Sequence, residues 1–303
     1  MKVAITGATG FVGSRLVEQL QAKGHQPLIL TRNKTSATRT FPNLEIVPYT
    51  PTVSGSWQEA IAGCDAVVHL AGEPIAESRW TPKHKQEILD SRKLSTQKIV
   101  EAIAKANPKP RVLVNASAIG YYGTSETATF DENSPSGNDF LSEVCRTWET
   151  EAQKVKYADV RLVILRFGII LGNGGALAKM IPPFQLFAGG PIGTGNQWFS
   201  WIHRDDLVNL IIEAVTRDDM EGIFNATAPN PVRMSELCQV LGETLHRPSW
   251  LPVPSFALEA LLGEGAKVVL EGQQVLPKRT TSYGFNYQYP TVKEALAEIL
   301  ASS

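Results

Sequence analysis

Short apolar runs alternate with amphipathic stretches over residues 1–171. Runs rich in Val, Ile and Leu predict strands, and apolar positions three and four residues apart predict helices. The predicted strands are residues 3–6, 27–31, 45–48, 66–70, 112–116 and 161–166, and the predicted helices are residues 11–23, 57–62, 82–106 and 139–157. Because helices separate the strands, we expect an α/β fold with a doubly wound parallel Rossmann sheet and a ligand crevice at the carboxyl ends of its strands.

The pattern changes after Gly172, where loops rich in glycine and proline replace the regular alternation. A helix over residues 205–215 and a strand over 222–225 are expected to return to the sheet, and helices are predicted over 236–245, 256–262 and 292–300. We therefore expect interleaved domains. Residues 1–171, joined by 201–226, form the Rossmann domain, and residues 172–200 and 227–303 form a smaller substrate-side domain toward the C-terminus.

Composition indicates a globular protein of enzyme size. Lys and Arg number 29 against 30 Asp and Glu, so no basic excess favours nucleic acid or an anionic membrane. No apolar run reaches the length of a membrane helix, and a strand pattern begins directly at the N-terminus, so we expect a cytoplasmic protein without a leader. The three cysteines, Cys64, Cys145 and Cys238, are widely spaced and predict neither a disulfide framework nor a metal site.

A glycine-rich turn, GATGFVG at residues 7–13, joins the first strand to the first helix. Gly7 permits the tight turn, Gly10 lets the backbone approach a pyrophosphate, and Gly13 allows close packing of helix and strand. The helix N-terminus supplies unpaired N–H groups for the anion. The alternative is that these glycines only shape a tight turn. The candidate cofactor contacts here are Gly7, Thr9, Gly10, Phe11, Val12 and Gly13.

The second strand ends in LTRNK at residues 30–34, without the acidic residue that usually accepts the ribose 2′-hydroxyl of NAD. Arg32, with help from Lys34, can instead pair with a 2′-phosphate, so the predicted cofactor is NADP(H). The alternative is that Arg32 is a solvated loop residue. The fourth strand ends in HLAG, where Leu70, Ala71 and Gly72 are further candidate cofactor contacts.

Taken together, these segments resemble extended short-chain dehydrogenases/reductases of the nucleotide-sugar epimerase type. The resemblance includes the glycine turn, HLAG, Ser117 followed by YYG at 121–123, LRFG at 165–168 and IHRDD at 202–206, and it covers nearly the whole chain. It adds Ser117 and Arg166 to the candidate cofactor contacts. A homodimer is an expectation from the same family.

A narrower resemblance is to the atypical "epimerase family protein" subgroup. It rests on AGEPIA at 71–76 with Arg79 and Trp80, AIGYYG at 118–123 and PKR at 277–279. That subgroup includes NADP-dependent oxidoreductases and proteins linked to bacterial and plastid division. Two functions therefore stay open: an NADP(H)-dependent oxidoreductase or epimerase-like protein acting on an unknown small molecule, and a non-catalytic NADP-binding regulatory protein with a division-machinery partner.

The catalytic residues that the family implies are replaced here. Extended members use an Asn, a Ser or Thr, and a Tyr and Lys four residues apart on one helix. In the matching register Leu141 occupies the Tyr position and Cys145 the Lys position. Ala118 occupies the Ser or Thr position, and Arg92 occupies the Asn position. A shift of one residue would recover the Ser117 hydroxyl. We interpret Cys145 as a small buried hydrophobe rather than a catalytic thiol.

Other side chains near the predicted crevice offer a displaced proton donor. Tyr121 is the better candidate, because Tyr122 is expected to pack with its phenol hydrogen-bonded. Arg92 is expected to reach toward the same crevice, and Glu73 either lies there too or shapes the loop beside Pro74. His203 is interpreted as structural rather than as a general base. We also expect Asp205 or Asp206 to cap the next helix. Possible anion contacts are Lys179, Arg204 and Arg233. The aromatic residues Trp198, Phe199 and Trp201 are expected either to line a ligand site or to form the core of the small domain.

Overall fold

The fold, taken from a computed structural model, is described for residues 1–76 and 78–301. The strands are β1 (Lys2–Thr6), β2 (Gln26–Thr31), β3 (Glu45–Pro48), β4 (Ala66–His69), β5 (Val112–Ala118), β6 (Thr129–Phe130), β7 (Arg161–Phe167), β8 (Ile169–Leu171), β9 (Trp198–Phe199), β10 (Trp201–His203), β11 (Gly222–Ala226), β12 (Val232–Arg233) and β13 (Gln274–Val275). The α-helices are α1 (Phe11–Ala22), α2 (Lys34–Thr40), α3 (Pro82–Lys105), α4 (Phe140–Gln153), α5 (Gly175–Gln185), α6 (Arg204–Thr216), α7 (Met234–Leu245), α8 (Ser255–Leu262), α9 (Lys267–Leu270), α10 (Lys278–Ser282) and α11 (Val292–Ala301).

A seven-stranded parallel sheet in the order β11-β7-β5-β4-β1-β2-β3 lies at the centre of the fold. The chain winds from β1 through β2 to β3, then crosses back to β4 on the other side of β1. The order of winding reverses between β1 and β4, and a ligand crevice lies at such a point in open α/β sheets. The predicted doubly wound parallel sheet is confirmed.

Helices cover both faces of the sheet, which explains why its strands read as continuous apolar runs. On one face α1 and α6 pack against the sheet through a core that includes Leu16, Leu20 and Leu207. On the other face α3 contributes Ile99 and Ile103 to a second core. Strand β1, at the centre of the sheet, is buried from Val3 to Thr6.

A third core lies outside the sheet and gathers α5, α7 and α11. Phe199 and Trp201 are buried within it, so these two aromatic residues form core rather than a ligand surface. Trp198 is half-buried instead, and the Arg233 guanidinium lies 3.8 Å from its ring centroid. The boundaries given above for the smaller domain stay a prediction.

Several elements differ from the sequence prediction. Residues 57–62 form a 3₁₀ helix over Ser56–Ile61, and the helix expected over 139–157 is α-helical only to Gln153 before a 3₁₀ turn over Lys154–Ala158. The helices α2 and α5 were not predicted. Strand β4 ends at His69, one residue earlier than expected. Within the residues described, no helix is long and apolar enough to cross a membrane.

Candidate functional site

The glycine turn brings the ends of β1, α1 and β4 into direct contact. Gly7 has a φ of +71°, which is the left-handed region where a side chain is strained. A Cβ at Gly13 would lie 2.1 Å from the Gly7 carbonyl oxygen, so only glycine fits at this crossing. The N-cap of α1 is Gly10, which offers no side-chain hydrogen bond, and the first turn carries no acidic residue. The first N–H groups of α1 therefore remain open to an anion.

A buried hydrogen-bonded chain fixes the end of β4 against this turn. The Thr6 hydroxyl accepts from the backbone N–H groups of Leu70 and Ala71, each at 3.2 Å, and lies 2.7 Å from Nδ1 of His69. Nε2 of His69 lies 3.2 Å from the Ser95 hydroxyl on α3. Burial lowers the pKa of His69 to about 3, so the ring is neutral. These buried polar contacts hold the end of β4, at the edge of the crevice, next to the glycine turn.

An exposed cavity opens where β2 and β3 end. It has a volume of about 260 Å³, and its lining includes Arg32, Tyr49 and Trp57. The Tyr49 and Trp57 rings meet edge to face with centroids 5.3 Å apart, and both side chains are largely buried. Arg32 is exposed at the mouth. One cationic group beside an aromatic wall is a suitable arrangement for a phosphorylated nucleoside.

Phe11 and Arg204 close the other side of the turn. The Phe11 ring lies against the glycines of the 172–175 loop, and the Arg204 guanidinium lies 5.1 Å from its centroid. Nε of Arg204 is buried and makes no hydrogen bond to any residue of the described ranges. It lies 4.0 Å from the Asp205 carboxylate, which forms its close ion pair with Arg15 at 2.7 Å. The Arg204 guanidinium thus lies beside Phe11, the first residue of α1, next to the glycine turn.

The IHRDD segment is held together by structural contacts. Nδ1 of His203 accepts from the Asp205 N–H at 3.1 Å and so caps α6, while its Nε2 lies 3.0 Å from Glu298. Asp206 accepts from the backbone N–H groups of Gln288 and Tyr289. The expectation that Asp205 or Asp206 caps the helix is therefore wrong, because both carboxylates already serve more distant partners. The structural interpretation of His203 agrees with this geometry.

Ser117 and Arg166 belong to a buried network below the crevice. Nε and Nη2 of Arg166 each donate to the Glu149 carboxylate at 2.8 Å, and the Ser117 hydroxyl donates to the same group at 2.7 Å. Although burial lowers the pKa of Arg166, its bonds to Glu149 raise that pKa above the usual value. Tyr122 accepts from Nη1 of Arg166 and donates to Asn225. Both Ser117 and Arg166 are therefore fully engaged within the protein.

The replaced catalytic positions on α4 lie beneath the segment that follows β5. A Cβ at Gly120 would lie 3.2 Å from Cβ of Leu141, so Leu141 fills the space under this turn. Sγ of Cys145 lies 3.6 Å from the Ala118 carbonyl oxygen. Burial raises the pKa of the Cys145 thiol to about 12, which keeps it protonated. Neither side chain can transfer a proton at neutral pH.

Tyr121 is placed differently from its neighbour Tyr122. Its ring is half-buried and lies 3.4 Å, centroid to Cζ, from the Arg166 guanidinium. The two tyrosine rings meet edge to face with centroids 5.4 Å apart. Within residues 1–76 and 78–301, the Tyr121 hydroxyl makes no hydrogen bond, whereas that of Tyr122 makes two. Tyr121 is thus an oriented phenol with a free hydroxyl.

Several residues that build the site had no clear signal in the sequence. Thr6 and Ser95 bracket His69, and Glu149 neutralises Arg166. The chemistry of a buried arginine within LRFG, which requires a carboxylate partner, could have pointed to Glu149 on the amphipathic helix. No group of residues in the described part of the chain could hold a metal ion.

Comparison with protein families extends this picture. A model of the NAD dependent epimerase/dehydratase family matches residues 3–226, and a domain of unknown function, DUF1731, matches residues 253–299. The chain is 56% identical to the chloroplastic epimerase family protein SDR39U1 homolog of Arabidopsis thaliana over 303 residues, covering 99% of this chain and 87% of that protein. It is 41% identical to the epimerase family protein YfhF of Bacillus subtilis, covering 99% and 98% of the two chains.

Two solved structures share this fold over the whole chain. The human epimerase family protein SDR39U1, isoform 2, crystallised with NADPH, superposes with a TM-score of 0.89 at 35% identity and is covered completely. A nucleoside-diphosphate sugar epimerase from Corynebacterium glutamicum superposes with a TM-score of 0.80 at 30% identity, where this chain covers 59% of that protein.

Proposed function

The chain belongs to the NAD dependent epimerase/dehydratase family, and from that premise we propose that it is an NADP(H)-dependent oxidoreductase or epimerase-like enzyme acting on a small carbonyl or hydroxyl compound. The open N-terminus of α1 is the observation that carries the proposal. Gly7 and Gly13 bring this terminus against the end of β4, and no side chain caps it. The site thus offers backbone donors and a positive helix end to a pyrophosphate.

The two ends of the cofactor would take different surfaces. The pyrophosphate would lie against the exposed turn, where the predicted contacts are Gly7, Thr9, Gly10, Phe11, Val12 and Gly13. The adenosine would fill the cavity beside Arg32, whose guanidinium would pair with the 2′-phosphate. Leu70, Ala71 and Gly72 would border the adenine-side ribose and the pyrophosphate. The NADPH found in the human relative supports the choice of NADP(H).

We propose that Ser117 and Arg166 support the turn beside the crevice and do not contact the cofactor directly. Both are almost completely buried, and their donors are occupied by Glu149 and Tyr122. Together these groups hold the turn on which Tyr121 stands. Their effect on a ligand would therefore pass through the position of the Tyr121 ring.

Tyr121 is the residue that would move the proton. NADP(H), when bound, supplies or accepts the hydride. The free hydroxyl of Tyr121 would donate to the substrate oxygen during reduction, since its ring is held against Arg166 and its O–H has no partner among the described residues. Leu141 and Cys145 exclude water beneath this position. The reaction therefore needs no Tyr and Lys pair on α4.

A second candidate function is an NADP(H)-binding regulatory protein without turnover. The protonated Cys145 and apolar Leu141 favour it, because the helix has lost both groups that usually perform acid-base chemistry. A homodimer, a cytoplasmic location and a division-machinery partner stay predictions, and nothing in the fold or its relatives favours the last of these.

Turnover of NADPH with Tyr121→Phe distinguishes the two candidates. The purified protein is incubated with NADPH and a panel of aldehydes, ketones and keto acids, and NADPH absorbance is followed. The matched control is Tyr157→Phe, because Tyr157 is 92% exposed. We expect a carbonyl-dependent loss of NADPH that Tyr121→Phe slows at least about a hundredfold and Tyr157→Phe leaves unchanged. Tight NADPH binding without consumption on any carbonyl supports the regulatory candidate.

A further inference from the structure

A buried arginine of α3 lies against the loop that follows β4, at the edge of the crevice. Arg92 stands on the inward side of α3 and is 7% exposed. A Cβ at Gly72 would lie 3.1 Å from the Arg92 Cζ, while Gly72 itself is exposed. The guanidinium therefore lies directly behind the exposed backbone of Gly72.

Among residues 1–76 and 78–301, no carboxylate forms an ion pair with Arg92. Nη1 donates to the Ile88 carbonyl at 3.1 Å, and no other hydrogen bond or ion pair reaches the guanidinium from the described residues. Nε and Nη2 make no hydrogen bond to any described residue, and the side chain keeps a small exposed fraction. The Trp148 ring lies 5.1 Å from Cζ. Burial lowers the pKa of Arg92, but a guanidinium stays protonated at neutral pH.

The surroundings of Arg166 show what a satisfied buried arginine requires in this fold. Arg166 has bidentate bonds to Glu149 and a third bond to Tyr122. Within the described part of the chain, Glu73 acts on Arg92 only at longer range, and the Cys145 thiol is protonated. A buried cation without a paired anion is costly, so a site of this kind is completed by an anion from outside.

We propose that Arg92 anchors a carboxylate group of the substrate. This inference rests on the proposed function, since it places the ligand in the same crevice. The planar guanidinium has two free nitrogen donors that match the two oxygens of a carboxylate. One positive charge balances a carboxylate monoanion, whereas a phosphate dianion would leave charge uncompensated. Arg92 packs against Trp148 of α4, and the same helix carries Leu141 and Cys145 under the turn that holds Tyr121, so the anchor stands on the Tyr121 side of the crevice.

Binding of simple carboxylates to the NADP⁺-loaded protein tests the anchor without knowledge of the substrate. Calorimetric titrations compare acetate with acetamide and benzoate with benzamide, because each pair differs in charge but hardly in shape. The variants are Arg92→Met, which keeps the volume without the charge, and Arg92→Lys, which keeps the charge without the planar fork. Lys93→Met is the matched loss of one charge on the same helix. Thermal unfolding of each variant checks that it is folded.

We expect a carboxylate to bind at least about tenfold more tightly than its amide. Arg92→Met should abolish that preference, Arg92→Lys should reduce it, and Lys93→Met should leave it intact. Equal binding of acid and amide, no carboxylate binding, or a preference that survives in Arg92→Met would overturn the proposal. A loss of NADP⁺ affinity in Arg92→Met would assign the guanidinium to the cofactor and also overturn it. Failure of the parent protein to bind NADP⁺ would instead refute the proposed function.

Discussion

Replacing Gly13 with alanine tests the glycine turn at residues 7–13, because the added methyl group has two opposite effects on the free energy of unfolding. Gly13 lies within α1, where exchange of glycine for alanine ordinarily stabilises a helix by about 1 kcal/mol. The new Cβ, however, would lie 2.1 Å from the Gly7 carbonyl oxygen and 2.7 Å from Cα of Ala8. Both contacts are with backbone, which cannot rotate away as the end of a side chain can.

The distances set the size of the effect. Since carbon atoms in ordinary contact lie roughly 3.5 Å apart, the turn and α1 would have to separate by about 1 Å. Overpacking of this kind costs about 3 kcal/mol, so after the helix gain we expect a net loss of about 2 kcal/mol in the free energy of unfolding. The same shift moves the backbone donors of the turn, so NADPH affinity should fall at least about tenfold.

Urea unfolding followed by tryptophan fluorescence measures the first effect, and calorimetric titration with NADPH measures the second. Gln21→Ala is the control, because Gln21 is exposed on the same helix and away from the turn. It should change stability by less than about 0.5 kcal/mol and leave NADPH binding unchanged. A Gly13→Ala protein that is as stable as the parent and binds NADPH equally well would refute the reasoning.

Two further predictions concern buried charge. Glu149→Gln leaves Arg166 with an uncompensated charge and should lower the free energy of unfolding by about 3–5 kcal/mol, measured by urea unfolding; a loss below about 1 kcal/mol would contradict a buried ion pair. Because the pKa of His69 is lowered to about 3, the unfolded chain binds more protons than the folded chain below about pH 6.5. As the pH is lowered from about 6.5 to about 3, the free energy of unfolding should therefore decrease by up to about 1.4 kcal/mol per pH unit. The His69→Gln protein should show a shallower dependence on pH; equal slopes would show that His69 is not buried in its neutral form.

The sheet and its helices could be predicted from sequence because buried parallel strands leave unbroken apolar runs. The helix α5 escaped prediction, since its two prolines and the glycines before it are typical of loops. Its stability comes from Leu177 and Phe184 packing into the third core, which is a tertiary effect that no local pattern contains. The same holds for α2, whose seven residues present a single buried side chain.

The glycine turn that we propose as the cofactor site was accessible to sequence reasoning because its motif lies in consecutive residues. The polar groups around it were not, because they meet across elements far apart in the chain. The Ser117 hydroxyl donates a hydrogen bond to Glu149, which is 32 residues away in the chain. His203 caps α6, because Asp205 and Asp206 interact with more distant partners. Such partners are set by packing, so they follow only from the three-dimensional structure.

Binding of NADPH and NADH to the parent protein and to Arg32→Ala tests the central claim most directly. The matched control is Arg39→Ala, which removes an exposed charge from α2. The account predicts that calorimetry shows NADPH bound about tenfold to a hundredfold more tightly than NADH, that Arg32→Ala brings NADPH to the NADH value, and that Arg39→Ala changes neither. Failure of the parent to bind either nucleotide, or an NADPH preference that persists in Arg32→Ala, would contradict it.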